Sequence, residues 1–83
     1  MTISVKVLYF GQAREAAGTA EEVLSLPSGT SVRDVVRRSA TAHEPLRGLS
    51  RTLKVAVNEE IAHPGDVLSD GDVVALLPPV AGG

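Results

Sequence analysis

Hydrophobic and polar positions alternate from the start of the chain: Ile3, Val5, Val7 and Tyr9 share one parity, and Ser4, Lys6, Leu8 and Phe10 the other. A period of two is that of a β-strand, and a strand is predicted over residues 2–10. Its second face ends in Leu8 and Phe10, too apolar to meet water alone. Good helix formers, Ala and Glu, lie between Gly11 and Gly18, and this segment reads as a short helical connector. Glu21 to Leu26 carries Val23, Leu24 and Leu26 and stops at Pro27-Ser28-Gly29, which predicts a second strand closed by a turn. The period then changes. Val32, Val35, Val36 and Ala40 follow helical spacing and predict a helix over 32–42. Ser31, three residues before Asp34, is its start signal, because hydroxyl and carboxylate can satisfy the amides at the helix entrance reciprocally. The helix should stop before Pro45.

Pro45 to Thr52 shows no period and reads as a loop. Leu53, Val55 and Val57 alternate with Lys54 and Ala56, predicting a strand that ends at Asn58-Glu59-Glu60, with a short edge piece over 61–63. Asp70-Gly71-Asp72 is a turn. Val73 to Leu77, apolar throughout, is the last strand and, by that uniformity, a central one. The order suits an α+β domain over residues 1–77, a mixed sheet of four to five strands with one main helix packed across it. The two most apolar strands, first and last, would lie side by side at its centre. Residues 78–83 form an extended tail.

Composition narrows the possible functions. The chain has 83 residues, enough for a single core. Apolar residues make up 43% and aromatics 2%, so the core is expected to be aliphatic, built around Tyr9 and Phe10. A net charge of −2, with Arg33, Arg37 and Arg38 as the one local basic cluster, argues against nucleic acid as a partner. That cluster reads as a solvated helix face. Cysteine is absent, which removes disulfides, thiol nucleophiles and thiolate metal sites. The apolar run at Val73 to Leu77 is far short of the roughly 18 residues that span a bilayer, and the first residues alternate where a signal peptide would be continuously apolar. No membrane association and a cytoplasmic location are expected.

Familiar catalytic templates fail as well. There is no GxxxxGK[ST] or GxGxxG phosphate cradle. His43 and His63 stand twenty residues apart without a ligand-spaced partner and read as surface loop residues, and Asp66, Asp70 and Asp72 do not match a calcium loop. No metal site is expected.

What remains is the tail, Pro78-Pro79-Val80-Ala81-Gly82-Gly83. With Gly near 7% of average usage, a Gly-Gly terminus arises by chance in about one chain in two hundred. Pro78 and Pro79 cannot continue a ladder and stiffen the exit from the sheet. Six extended residues reach at most about 20 Å, far enough to enter another protein's active site. Gly82 and Gly83 lack a Cβ, so a narrow channel could admit the backbone and its carboxylate, and the tail is expected to be mobile until a partner holds it. A carboxylate is a poor electrophile until an ATP-dependent partner converts it to an acyl adenylate. This chain supplies neither phosphate site nor base, and so reads as a carrier or tag whose chemistry happens in its partners. A carrier this small needs an apolar patch for docking; Leu8, Phe10 and Leu77 are its candidates, with Phe10 as the anchor.

Val7-Leu8-Tyr9-Phe10-Gly11-Gln12-Ala13-Arg14-Glu15, Val55-Ala56-Val57-Asn58, Leu68 to Ala75 and the terminal hexapeptide together resemble the small-subunit family of molybdopterin synthase, MoaD, among the MoaD/ThiS sulfur carriers. The resemblance covers essentially the whole chain and is most specific in the tail. It implies the β-grasp, ubiquitin-like fold. It also implies that the Gly83 carboxylate is adenylated by a MoeB-like enzyme that uses ATP, and is then converted to a thiocarboxylate. The sulfur would pass, within a complex with the large subunit MoaE, to cyclic pyranopterin monophosphate, making molybdopterin. On this likeness Gly83 is the reacting site, Pro78, Pro79, Val80, Ala81 and Gly82 enter partner active sites, and Leu8, Phe10, Arg14 and Leu77 meet the partner. No cofactor is bound by the chain itself, and two small and two large subunits form a heterotetramer. Leu76-Leu77 departs from the aromatic residues that the family often has before the Pro pair. A ThiS-type carrier for thiamine, a ubiquitin-like modifier joined through Gly83 to lysines, and a binding module with an inert tail stay open as alternatives.

Overall fold

β1 (Thr2–Tyr9) and β5 (Val73–Leu77) run parallel at the middle of a five-stranded mixed sheet. The computed structural model describes residues 1–49 and 51–79. Antiparallel pairs complete the sheet: β2 (Glu21–Pro27) flanks β1, while β3 (Lys54–Val57) flanks β5 and carries β4 (Glu60–Ile61) at the outer edge. The strand order is therefore β2-β1-β5-β3-β4, with the two most apolar strands central, as the pattern requires.

Parity decides what each strand buries. Ile3, Val5, Val7 and Tyr9 point inward, joined by Leu26, Val55, Val74 and Leu76. Helix α2 (Val32–Ala42) lays Val32, Val35 and Ala40 over them. Its capping box forms as read: Asp34 N–H donates to Ser31 Oγ at 3.3 Å, and Ser31 N–H donates to Asp34 Oδ2 at 3.1 Å. Those bonds from Ser31, backbone first, together with nearby Arg37 and Arg33, hold the Asp34 carboxyl below the usual carboxylate range.

Three expectations are corrected, and the helical connector is extended. Phe10 is not part of the core; it is 46% exposed while Tyr9 is 2% exposed, because adjacent strand positions face opposite sides. The connector is a complete helix, α1 (Gly11–Ala17), closed by Gly18 in the left-handed region at φ 73. Pro45 to Thr52 is not simply a loop. Glu44–Gly48 form a 3-10 helix in which Leu46 is 1% exposed, packed between α1 and α2. Pro45 fits at its start, where an N–H would have had no intrahelical partner. Lastly, the edge piece is Glu60–Ile61, reached through Asn58 and Glu59 at φ 51 and 71. Two left-handed residues in a row match the twist of a two-residue hairpin, which closes the turn earlier than the apolar pattern suggests.

The Asp70-Gly71-Asp72 turn fastens β5 to its neighbours. Asp70 Oδ1 accepts from Ser4 N–H at 2.7 Å, and Asp72 accepts from Ser69 N–H at 2.8 Å and Asn58 Nδ2 at 2.9 Å. These carboxylates are used by the fold.

Candidate functional site

The sheet has a second face, left uncovered by α2. Register places Leu8 beside Ala75, Ala56 on the other side of Ala75, and Lys54 opposite Leu77. β5 is apolar on both of its faces, and a row of apolar side chains therefore crosses three strands on the open side. Leu8, Phe10, Ala56, Ile61, Val73, Ala75 and Leu77 line a shallow depression of ≈ 640 Å³ there, with Asn58 and Glu59 at its margin. Phe10 and Ile61 are 46% and 67% exposed. A contiguous apolar surface of this kind costs free energy in water and makes this face the candidate docking surface.

The tail leaves from the edge of this depression. Phe10 N–H donates to Leu76 O at 3.4 Å, β5 ends at Leu77, and Pro78 brings no N–H to carry the ladder on. Gly11 stands against this root: a Cβ built on it would lie 3.2 Å from Pro78 Cγ, and its own φ is 51. Gly11 therefore permits both the sharp turn from β1 into α1 and the close passage of the outgoing chain. In the sequence Gly11 stands only as a helix boundary, and nothing local marks its contact with Pro78.

The structure brings Leu8, Phe10 and Leu77 together and sets the half-buried Pro78 and exposed Pro79 beyond them. Arg14 stands apart, exposed on α1 beside a separate small depression with Gly11, Glu15 and Gly18. Val80, Ala81, Gly82 and Gly83 lie outside the described residues, and with them the expected reacting carboxylate and the expected mobility of the tail.

Polar chemistry elsewhere serves packing. The Tyr9 hydroxyl donates to Glu22 Oε1 and lies 3.3 Å from Ser39 Oγ. His43 Nε2 reaches the same Glu22 oxygen at 2.6 Å; a carboxylate only accepts, so Nε2 is the donating nitrogen. The Tyr9 and His43 rings meet edge to face at 5.7 Å. Burial, then the bond to Glu22, pushes the Tyr9 phenol up to about 12. Burial also works to raise Glu22, but the hydrogen bonds from Tyr9 and His43 outweigh it and hold that carboxyl below its ordinary range. His43 is thus not a surface loop residue. It sits half-buried at the junction of α2 and the 3-10 helix, whereas His63 is exposed as read. Among the described residues no three His, Asp or Glu side chains are grouped to hold a metal ion.

A mixed sheet in this strand order, with a helix across one face and the last strand running out beside the other, is the ubiquitin-like β-grasp. A ubiquitin from Caldiarchaeum subterraneum superposes with a TM-score of 0.68 over 100% of both chains at 16% identity, a likeness of fold. The chain belongs to the ThiS family, whose model matches residues 7–83. Within it the chain resembles proteins of one particular kind. The molybdopterin synthase sulfur carrier subunit of Mycobacterium tuberculosis is 43% identical, with 98% of this chain and 99% of that one covered. The subunit of the same name from Chlamydomonas reinhardtii is 39% identical, with 98% and 100% covered. Among solved structures, the putative molybdopterin converting factor, subunit 1 from Pyrococcus furiosus has a TM-score of 0.85 and 35% identity over 94% of this chain and 99% of its own. A chain from the complex of subunits 1 and 2 of the molybdopterin-converting factor of Helicobacter pylori matches with a TM-score of 0.69 and 26% identity, over 98% and 100%.

Proposed function

We propose that this chain is the sulfur-carrying small subunit of a molybdopterin synthase. The observation that carries the reading is the continuity of the apolar open face with the strand that leads into the Pro-Pro-Val-Ala-Gly-Gly tail: docking and delivery share β5. The full-length likeness to sulfur carrier subunits supports it. In a MoeB-like adenylating enzyme, a Gly83 carboxylate oxygen attacks the α-phosphorus of ATP and pyrophosphate leaves. A sulfur nucleophile supplied by a partner then adds at the acyl carbon and AMP leaves, taking the oxygen with it. The resulting thiocarboxylate enters the large subunit, a MoaE-like protein, and gives its sulfur to cyclic pyranopterin monophosphate. A dithiolene holds two sulfurs and each tail one, which suits a heterotetramer of two small and two large subunits.

The roles of the chain's own residues follow. Residues 1–77 are the docking body and 78–83 the delivery arm. Phe10 anchors, Leu8 and Leu77 extend the contact, and Arg14 serves at its rim. Pro78 and Pro79 direct the tail outward, and Val80, Ala81 and Gly82 thread the channel. The chain holds no cofactor, since ATP is consumed on the activating enzyme. No helix among the described residues is long and apolar enough to cross a membrane, and the carrier acts in the cytoplasm, where ATP is supplied.

The test is reconstitution with the large subunit, the adenylating enzyme, ATP and a sulfur donor. Deleting Gly83, or appending residues after it, should abolish molybdopterin formation and leave the melting temperature of the chain unchanged. Transfer by an extended, uncleaved variant would overturn the reading. Isopeptide-linked products in place of molybdopterin would favour a protein modifier.

A further inference from the structure

Arg33 and Arg37 project from one side of α2, and facing them are Arg47 of the 3-10 helix, Arg51, and Lys54 at the start of β3. These five line a cleft of ≈ 760 Å³ that wraps the β3–β4 edge of the sheet. They are five of the chain's eight Lys and Arg residues in a molecule of net charge −2, and among the described residues no carboxylate lines the cleft. Arg38, the third member of the sequence cluster, lines only a different depression, beside Asp34, which Arg37 also borders. Arg33, Arg37, Arg51 and Lys54 take no part in the ion pairs Lys6–Glu21 and His43–Glu22. Asp34, near Arg33 and Arg37, has its carboxylate engaged by the Ser31 backbone and hydroxyl. The rest of the lining is largely apolar and includes Val36, Ala40, Leu53 and Ile61.

We propose that this cleft docks an acidic, amphipathic segment of a partner protein, with carboxylates meeting the basic rim and apolar side chains seated on Val36, Leu53 and Ile61. Three observations select that occupant over other anions. The entrance of α2 opens here, yet its amides are already taken: Val32 N–H donates to Asp66 O and Arg33 N–H to Pro64 O, both at 2.9 Å, and Asp34 N–H to Ser31 Oγ. Without free amides the backbone offers no phosphate cradle. No aromatic ring lines the cleft, so the stacking that holds single-stranded nucleic acid is missing. The apolar lining rewards side chains that a free phosphate or a nucleic acid backbone lacks, whereas carboxylates interleaved with aliphatic residues match the basic and the apolar residues together. The cleft also borders the open face. Ile61 lines both depressions, and Lys54 stands opposite Leu77, the last residue before the tail. A segment bound here would therefore lie alongside the tail root. The proposal stands independently of the sulfur chemistry.

The test is an NMR amide titration of the whole chain with a synthetic Glu/Leu-rich amphipathic peptide. A Gln-for-Glu version, inorganic phosphate and a single-stranded oligonucleotide serve as comparison arms. Saturable shifts should centre on Arg33, Arg37, Ala40, Leu53 and Ile61, vanish with the Gln peptide, and fall with rising salt. The double variant Arg33→Gln/Arg37→Gln should bind about tenfold more weakly or worse, and Arg38→Gln should bind as the parent does. Both changes lie on exposed helix positions, and a retained amide dispersion would show that the fold survives. Absence of saturable shifts, shifts centred on Leu8, Phe10 and Leu77, or equal binding of phosphate or oligonucleotide would each overturn the proposal.

Discussion

Tyr9 and Phe10 are the only aromatic side chains apart from histidine, and one step along β1 gives them opposite fates. Tyr9 is buried with its hydroxyl satisfied by Glu22 and Ser39, and Phe10 stands out on the open face. Each makes a prediction. As the single tyrosine in a chain without tryptophan, Tyr9 can be titrated by absorbance alone, and its phenol should ionise near 12. A folded pKa raised above the ordinary 10.0 means stability that is complete below 10 and is lost as pH rises toward about 12. Unfolding and phenolate formation should therefore coincide on the alkaline side, and an ordinary tyrosine titration in the folded chain would contradict the buried network. Glu22 acts in the opposite sense: its lowered carboxyl contributes stability above about 4.5 that is lost as pH falls further. For Phe10, partial exposure leaves little burial to lose. Phe10→Ala should change stability by less than about 1 kcal/mol and weaken binding to the large subunit by about tenfold or more. A collapse of the melting temperature with unchanged affinity of the folded fraction would make Phe10 structural.

Among the elements, those whose burial follows a simple period were legible in advance. β1 alternates, α2 repeats every three or four residues after a Ser-Asp entrance, and β5, the central strand, is apolar on both faces. Segments whose burial is set by a single residue were not. Leu46 fills the gap between α1 and α2 from a 3-10 turn too short to show a period, and nothing around Pro45 distinguishes it from a loop leucine. Leu46→Ala should cost about 2–5 kcal/mol, as for other buried leucines, read as a fall in the urea midpoint; a loss under about 0.5 kcal/mol would mean that the turn is dispensable. His43 and Glu22 were invisible for a related reason, being 21 residues apart on elements whose contact depends on how α2 crosses the sheet. The basic cleft was hidden likewise: Arg33 and Arg37 on α2 meet Arg51 and Lys54 only once β3 is in place. Of the candidate site, Leu8, Phe10 and Leu77 were readable from parity, and Gly11 was not, because its contact with Pro78 joins opposite ends of the chain.

At the scale of the molecule, the parallel pairing of β1 with β5 sets the first and last strands side by side, so one strand is both the centre of the core and the segment that leads into the tail. The inner face of β5 is closed by α2, and its outer face is left apolar and open. With no cysteine in the chain, no thiol is present to hold a transferred sulfur, and the proposed carrier atom is the carboxyl carbon of Gly83. The most direct measurement is the intact mass of the chain isolated from its native cell, with fragmentation of its C-terminal peptide. The account predicts a species heavier by the exchange of one oxygen for sulfur, located at Gly83 and absent from cells lacking the adenylating enzyme. A carboxylate terminus alone in cells actively making molybdopterin, or sulfur located anywhere else in the chain, would contradict it.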